Sequence, residues 1–502
     1  MKNVCFYLNI HQPYRLKRYR FFDIGNDHYY YDDFANEDII SNLAERSYIP
    51  MCRTLLDMAN EYGQDFKCAI SISGTAIEQL QQSEPEVIEL LRKLSDKGCV
   101  EFLAGTFAHS LASIEDAEEF MRQVNAEQKT IKNVFGQTPK VFANTELIFD
   151  DEVASLIQAM GFKAAVVPGA KHILGWKSPD YVYSSATAPK LKLLFTNDKL
   201  AADIAHNFNN PEWAEYPLTA DKYVNWIADM PAEEQIVNIV LSMDTFGGFI
   251  PASSGIFDFL KALPRFGKEK GVRFTSPSEV VGKLKAVDTI TVPYAISYVD
   301  GTRIDVSAWK GNDLQREALN KLYGIAERVS MVEDRKIRQD WEYLQGSDHF
   351  FYMATNNQAD AAFSPYDSPF SAFTNYMNVL ADFLVRVQEQ FPENVDNEEL
   401  NSLLLTIGNQ SSEIEQLKKE VKSLRKNILE AEDSNYAAVI VEEAPAAPVK
   451  EKKTPGRKPG KKAENKENDL AEKIKKPGRK PGRKPAEKKE EVAPSGKEEK
   501  ES

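Results

Sequence analysis

Short apolar runs alternate with longer segments of helical periodicity from residue 1 to about residue 285. The segments 75–97 and 115–134 carry apolar residues at helical spacing with charged residues on the opposite face. This alternation is typical of β/α units that build a parallel sheet. The predicted strands are 3–10, 67–73, 99–104, 140–144, 163–167, 192–196 and 236–243. About seven such units favour an α/β fold in which the strands close into a (β/α)7 barrel over residues 1–285, although periodicity alone does not establish closure.

The pattern then changes to long helix-forming stretches, among them 312–319 and 373–380. We expect a helical C-terminal domain over residues 286–395, packed on the barrel. Next, apolar residues keep a heptad over segment 396–435, broken once by Gln410, at Leu400, Leu403, Ile407, Ile414, Leu417, Val421, Leu424 and Ile428. β-branched residues at most a positions with Leu at d favour a short parallel coiled coil, and therefore a homodimer. A single amphipathic helix docked on its own protein is the alternative.

Residues 436–502 are rich in Pro, Lys, Glu and Ala and lack the apolar content to form a core, so we expect a disordered basic tail. The run 455–460 recurs at 477–485 as short Gly-Arg-Lys-Pro units that resemble degenerate AT-hooks. The interspersed glutamates oppose phosphate binding, so a solvated or polyanion-binding tail is favoured over a specific DNA reader.

Charge and cysteine content narrow the class of protein. The formal charge is -14. Residues 441–502 contain 19 Lys+Arg against 13 Asp+Glu, so the net negative charge belongs to residues 1–440, the body of the chain. An acidic body is a poor nucleic-acid surface but is usual for cytoplasmic enzymes of neutral substrates. Four scattered cysteines without CxxC spacing favour reduced, buried thiols. No run resembles a signal peptide or a membrane span, so we expect a cytoplasmic protein without a membrane partner.

Polar residues stand where predicted strands end, which is where α/β folds build their sites. Glu146 follows the run 141–143, and a carboxylate there suggests chemistry because it would be costly to bury unpaired. His11 ends the first predicted strand and His109 follows the third. Ser242 and Asp244 lie at the end of the predicted strand 236–243. Because alternate residues of a strand point to the same face, we expect these two side chains to lie on one face.

Four of these segments, in this order, resemble the motifs of glycoside hydrolase family 57. They are His11-Gln12-Pro13, Gly105-Thr106-Phe107-Ala108-His109-Ser110, Asn144-Thr145-Glu146-Leu147 and Met243-Asp244-Thr245-Phe246-Gly247. Two later stretches, 309–315 and 343–350, are similar to segments of its α-amylase-type branch. The resemblance covers roughly residues 1–390 and implies a seven-stranded barrel, a helical C-terminal domain and α-1,4-glucan as substrate.

The family retains anomeric configuration, so the resemblance implies one carboxylate nucleophile and one general acid/base. Glu146 matches the nucleophile. Aligning Thr245-Phe246-Gly247 with the family motif puts Ser242 at the acid/base position, which is an Asp in the family, and Asp244 at a following Glu. A serine hydroxyl does not donate a proton readily at pH 7, and loss of a general acid typically costs about 10²- to 10⁴-fold in rate.

Three hypotheses follow from this departure. Asp244 replaces the missing acid, or the protein is a slow glycosidase or transferase whose leaving group needs little protonation, or it is a catalytically silent relative that binds α-glucan. A rival from another class is a dimeric scaffold with a polyanion- or DNA-binding tail. By resemblance, the substrate-binding residues are His11, Gln12, His109, Asn144, Thr145, Phe246, Asp348 and His349. No phosphate loop, dinucleotide fingerprint or metal-ligand spacing occurs, so we expect no cofactor and no metal.

Overall fold

The computed structural model describes residues 2–298, 304–355 and 364–391, which belong to one compact unit over residues 1–395. The predicted coiled coil (396–435) and tail (436–502) lie outside the described residues. The strands are β1 (Lys2–Ile10), β2 (Cys68–Ile72), β3 (Val100–Leu103), β4 (Val141–Phe142), β5 (Ala164–Val167), β6 (Val182–Ser185), β7 (Lys192–Phe195), β8 (Ile236–Ser242), β9 (Val272–Phe274) and β10 (Thr289–Ile290). All seven predicted strands are therefore confirmed as strands.

Helices connect and cover these strands. They are α1 (Asp33–Leu43), α2 (Ile49–Tyr62), α3 (Gly74–Ser83), α4 (Pro85–Asp96), α5 (Ala112–Glu115), α6 (Ala117–Phe135), α7 (Asp151–Ala159), α8 (Lys171–Leu174), α9 (Asp198–Ala205), α10 (Ala220–Asp229), α11 (Ile256–Lys270), α12 (Pro277–Lys283), α13 (Ser307–Lys310), α14 (Asp313–Tyr323), α15 (Ala326–Met331), α16 (Arg335–Leu344), α17 (Ser347–Phe351) and α18 (Pro369–Glu389). A π-helical turn, Ala44–Tyr48, joins α1 to α2.

The hydrogen-bonded strand neighbours form a closed order. β3, β2, β1 and β8 are neighbours in one sheet, and β4, β5 and β7 are neighbours in the other. Two parallel bridges, Ala104 with Phe142 and Thr196 with Asn238, join the sheets at both ends. Every pair in this order is parallel, whereas β6 runs antiparallel to β7. The carboxyl ends of seven strands therefore point to one side.

Some boundaries differ from the predicted ones, for local reasons. The helical segment 75–97 is divided into α3 and α4, because the ring of Pro85 cannot continue a helix but suits the first turn of a new one. The strand predicted over 236–243 ends at Ser242, because Met243–Thr245 turns into a 3₁₀ helix. Strands β6, β9 and β10 were not predicted. They have four, three and two residues and include polar ones, so no apolar run indicated them, whereas the equally short β5 is wholly apolar.

Helices of the segment 304–391 share a buried core with the strand-bearing part of the chain. One buried cluster combines Phe142, Ile157 and Phe195 from the strand side with Trp341 and Phe383 from helices α16 and α18. A second, smaller cluster, which includes Cys5, Ala69, Leu103, Val166 and Leu194, collects alternate residues of the parallel strands. The strands therefore bury both faces, which explains their continuous apolar runs.

A buried ion pair ties these helices to the N-terminal segment. Arg386 Nη1 lies 2.6 Å from Asp340 Oδ2 and donates to the Tyr30 hydroxyl at 2.9 Å. The two charged side chains are 9% and 3% exposed. Each charge is compensated mainly by the other, with the Tyr30 and Tyr31 hydroxyls as further partners, so removal of one partner leaves a poorly compensated buried charge.

We predict that Arg386→Leu lowers the free energy of unfolding by about 3 to 5 kcal/mol, because Asp340 is then buried without its cation. Urea denaturation measures this change. The matched control is Arg328→Leu, which removes an exposed arginine that bonds only to Gln388 and should change the free energy by less than about 0.5 kcal/mol. Equal effects of the two variants would contradict the account.

Candidate active site

A cavity of about 510 Å³ opens at the carboxyl ends of the parallel strands. Among its lining residues are seven of the candidates named from the sequence: His11, Gln12, Asn144, Glu146, Ser242, Asp244 and Asp348. Aromatic side chains share the lining, namely Tyr7, Phe249, Tyr298, Trp309, Phe351 and Tyr352. An apolar wall with a few convergent polar groups is the usual form of a small-molecule site.

Glu146 enters this cavity from a strained turn. Strand β4 ends at Phe142, and Thr145–Leu147 form a 3₁₀ turn in which Glu146 has φ 46° and ψ 30°. Leu147 also has positive φ, at 53°. This conformation is unfavourable for residues other than glycine. Its occurrence in two successive residues indicates that contacts with the surrounding structure stabilise it. The Glu146 side chain is 37% exposed, so its carboxylate reaches the cavity.

His109 holds the carboxylate of Glu146. Its Nε2 lies 3.1 Å from Glu146 Oε1, and His109 itself has φ 51°. The two loops that carry these residues approach closely: the hydroxyls of Thr106 and Thr145 are 2.8 Å apart. A Cβ on Gly105 would lie 2.9 Å from the Ala143 carbonyl oxygen, so this approach requires glycine.

His11 extends the polar arrangement. Its ring stacks on that of His109, with centroids 4.0 Å apart and planes inclined by 20°. His11 Nδ1 lies 2.8 Å from Ser73 Oγ, and Nε2 lies 2.9 Å from Asp348 Oδ2. A proton on Nε2 fits both contacts, because the carboxylate only accepts and the serine hydroxyl can donate to Nδ1. Burial and the adjacent His109 lower the pKa of His11, which favours the neutral ring.

Asp348 reaches the strand ends because α17 docks on the His109 loop. The Ser347 amide donates to the His109 carbonyl oxygen at 3.0 Å, and Ser110 and Gly346 form an antiparallel bridge. One short helix from the C-terminal part thus completes a site whose other members follow strands. The contact also explains why residues more than 200 positions apart meet.

The remaining candidates differ in whether their side chains line the cavity. Asn144 donates to Ser113 Oγ and to the Ile148 carbonyl oxygen, and its buried Oδ1 has no hydrogen-bond partner among the residues that the structure describes. Gln12 lines the cavity and accepts from Arg15. Thr145 bonds to Thr106 behind the cavity wall. Phe246 and His349 lie outside the cavity lining: Phe246 packs on Phe6, and His349 Nε2 bonds to the Tyr343 carbonyl oxygen.

Ser242 and Asp244 share the lining, but not as alternate residues of one strand. Ser242 ends β8, and its hydroxyl accepts from the Asp244 amide at 3.2 Å as the cap of the following 3₁₀ turn. Burial raises the pKa of Asp244 to about 6, while the Tyr48 hydroxyl and the Arg15 guanidinium act in the opposite direction. Asp244 therefore keeps a protonated fraction of about a tenth at pH 7 and about half at pH 6, far more than an exposed aspartate does.

A family model, "Glycosyl hydrolase family 57", matches residues 5–293, which is more than half of the chain. The chain belongs to glycosyl hydrolase family 57. A relative from Methanocaldococcus jannaschii, whose name gives α-amylase as a provisional activity, is 33% identical over 458 residues, covering 88% of this chain and 96% of its own. An α-amylase of Pyrococcus abyssi is 23% identical over 321 residues, which is 61% of this chain but 45% of that protein.

Solved structures share the fold at low identity. The 4-α-glucanotransferase of Thermococcus litoralis has a TM-score of 0.58 at 14% identity, covering 76% of this chain and 59% of that one. A branching enzyme of family 57 from Pyrococcus horikoshii has a TM-score of 0.57 at 13% identity, covering 78% and 94%. These similarities establish the fold of the family 57 chain. Its substrate is a separate question.

Three polar residues of this candidate site were not predicted from the sequence. Ser73 is the N-cap of α3 and bonds to His11, and Arg15 lines the cavity. Tyr48 lies behind Asp244 on the π-helical turn. Tyr48 falls within an ordinary helical pattern, so nothing in its spacing marked it. The closeness of Arg15 to His11-Gln12-Pro13 was a usable signal, because residues just after a strand end lie at the same edge.

Within the described ranges, no group of three or more His, Cys, Asp or Glu residues is arranged to hold a metal ion. The four cysteines are buried and unpaired with one another, as the sequence predicts. A search of the described helices finds none with the length and apolarity to cross a membrane.

The raised pKa of Asp244 predicts a pH-dependent stability cost. A carboxyl whose folded pKa exceeds its unfolded value stabilises the fold below the unfolded value, and this contribution is lost as pH rises from about 4 to about 6. We therefore expect Asp244→Asn to gain roughly 1 to 3 kcal/mol of stability relative to wild type between pH 4 and pH 7. Urea denaturation at a series of pH values measures the difference, and a difference that does not vary with pH would contradict it.

Proposed function

We propose that the protein acts on α-1,4-glucan as a retaining glycosidase or transferase, with Glu146 as the nucleophile. The observation that carries the proposal is the Glu146 carboxylate, which a strained turn presents to the cavity while His109 hydrogen-bonds it. Family membership and relatives named as α-amylases support the substrate class. We also propose that the closed order of seven parallel strands is the (β/α)7 barrel of the family.

In the proposed first step, a Glu146 oxygen attacks the anomeric carbon while the bond to the leaving oxygen breaks. The leaving oxygen takes a proton from the general acid. Water or a second sugar hydroxyl then attacks the glycosyl-enzyme ester, and the same acid, now a base, accepts the proton of the attacking hydroxyl. The hydrogen bond from His109 fixes which Glu146 oxygen is engaged and which is free.

The acid in this scheme is Asp244 rather than residue 242. Ser242 occupies the family position but serves as a cap for the Asp244 turn. Asp244 is nearly buried in the same cavity wall, and burial raises its pKa to about 6, close to the value that suits a general acid near neutral pH. Because Asp244 stands in a turn beyond the strand end, we expect its proton transfer to be slower than that of the usual aspartate.

The proposed substrate-binding residues are His11, Gln12, Asn144 and Asp348. Each lines the cavity and carries a polar group able to bond a sugar hydroxyl. The unpartnered Oδ1 of Asn144 is one such group, because a buried acceptor without a donor is costly until a ligand supplies one. The aromatic residues Trp309 and Tyr352 offer apolar surface for the sugar rings.

A catalytically silent glucan-binding relative is the second candidate. The serine at the family acid position favours it, because a protein that only binds glucan has no need of a proton donor. The same cavity and the same polar residues would then bind glucan without cleaving it. The two experiments below separate the candidates.

We predict that wild type hydrolyses α-maltosyl fluoride, whose leaving group needs no proton, faster than maltooligosaccharides by a ratio that reflects the weak acid. Glu146→Ala should abolish turnover of both substrates, because it removes the nucleophile. Fluoride release and reducing-sugar assays measure the rates. The matched control is Glu152→Ala, an exposed glutamate on α7. Glucan binding without turnover of either substrate by wild type would establish the silent relative instead.

A second prediction concerns the acid position. Ser242→Asp should raise maltooligosaccharide turnover by about 10- to 10³-fold and leave fluoride turnover nearly unchanged, because it restores a carboxyl at the family position. Ser242→Asn is the control, since Asp and Asn cap a helical turn about as well as Ser but only Asp carries a proton. If both variants behave alike on maltooligosaccharide, residue 242 does not lie where an acid can act.

A further inference from the structure

A π-helical turn beside the site brings one tyrosine against the proposed acid. The turn Ala44–Tyr48 lies between α1 and α2. π turns inside longer helices occur often at functional sites, because they rotate one side chain out of helical register. Tyr48 is completely buried there, and its hydroxyl has no hydrogen bond of good geometry among the described residues.

Two contacts fix this turn against the Asp244 turn. The Ser47 hydroxyl donates to the Met243 carbonyl oxygen at 2.9 Å. Gly247 has φ 92°, and a Cβ there would lie 2.0 Å from the Arg46 carbonyl oxygen, so the two backbones meet too closely for any other residue. The two residues before Tyr48 thus contact residues on either side of Asp244, and these contacts set the position of Tyr48 relative to Asp244.

The polar atoms around Asp244 do not use all of their hydrogen-bonding capacity among the described residues. Three buried side-chain atoms near Asp244 have no hydrogen-bond partner in the described part of the chain: Asp244 Oδ1, the Tyr48 hydroxyl oxygen and Arg15 Nη1. Tyr48 and Arg15 nevertheless lie close enough to lower the pKa of Asp244. One acceptor and two donors in one buried region are chemically complementary, and a buried carboxylate oxygen is costly unless a donor approaches it.

We infer that Tyr48 is a positioning residue for Asp244: when Asp244 ionises, the Tyr48 hydroxyl donates to the otherwise open Oδ1 and leaves Oδ2 as the oxygen that meets the substrate. Burial raises the pKa of Tyr48 well above its ordinary value, so the hydroxyl remains a donor over the whole working range of pH. The inference rests on the proposed role of Asp244 as the acid, and it adds the residue that aims that acid.

The groups that face Asp244 define the expected pH dependence. Tyr48 faces it from the π turn, and Arg15 faces it from the segment after β1. On the same π turn, Glu45 and Arg46 are exposed to solvent. At the end of β1, His11 is engaged by Ser73 and Asp348. Removing the Tyr48 hydroxyl should therefore raise the pKa of Asp244, because the carboxylate loses a donor.

The experiment is an NMR titration of ¹³C-labelled aspartate carboxyls, with the Asp244 signal assigned by its absence in Asp244→Asn. Wild type should titrate near pH 6, and Tyr48→Phe should titrate higher by about 0.5 to 1. The control Tyr223→Phe removes a fully buried hydroxyl that bonds to the Leu200 carbonyl oxygen and should leave the Asp244 midpoint unchanged. Ser47→Ala, which releases the turn, should shift it in the same direction as Tyr48→Phe.

An unchanged midpoint in both Tyr48→Phe and Ser47→Ala would overturn the inference, and so would an equal shift in Tyr223→Phe. Because the titration needs no turnover, it tests the positioning role even if the protein proves to be a glucan binder. In an active enzyme, Tyr48→Phe should also move the alkaline limb of kcat/KM for maltooligosaccharide to higher pH and leave the fluoride profile in place. If wild type does not turn over the glycosyl fluoride, that result would instead count against the proposed function.

Discussion

Parallel pairing of the strands is the constraint on which the site depends. Because each strand in the closed order runs in the same direction, the residue that follows each strand arrives at one edge. His11 follows β1, Ser73 follows β2, Glu146 follows β4 and Ser242 ends β8. His11, Glu146 and Ser242, which span more than 230 positions of the sequence, thus line one cavity, and Ser73 supports His11 beside it.

Parallel strands bring side chains together, but they do not aim them. The orientation of the side chains is set by local conformations that cost free energy. These are the positive φ of His109, Glu146 and Leu147, and the π turn at Tyr48. The buried Asp244 with its raised pKa is a further cost of the same kind. These unfavourable features lie around one cavity, while the surrounding core is apolar and well buried. Stability elsewhere in the fold offsets the strain at the site.

The sequence was informative where a pattern is long or a residue is chemically out of place. Alternating apolar runs predicted the parallel strands, and Glu146 stood out as a carboxylate after an apolar run. The sequence pattern did not predict that the chain turns before Asp244. This turn depends on the Ser242 cap and on contacts with Arg46 and Ser47, which lie far away in the sequence. Asp348 was named by resemblance, yet its contact with His11 depends on α17 docking across some 240 residues of intervening chain. Tyr48 was missed, because a π turn has no sequence signature of its own.

The proposed reaction requires a covalent bond between Glu146 and the sugar. A slow, fluorinated α-glucosyl fluoride tests it directly, because fluorine on the sugar ring destabilises the transition states and the fluoride leaving group allows the ester to form and accumulate. After incubation, peptide mapping by mass spectrometry should place one glycosyl group on the peptide that contains Glu146, and Glu146→Gln should remain unlabelled. A label on another carboxylate, or none on a protein that still binds glucan, would contradict the account.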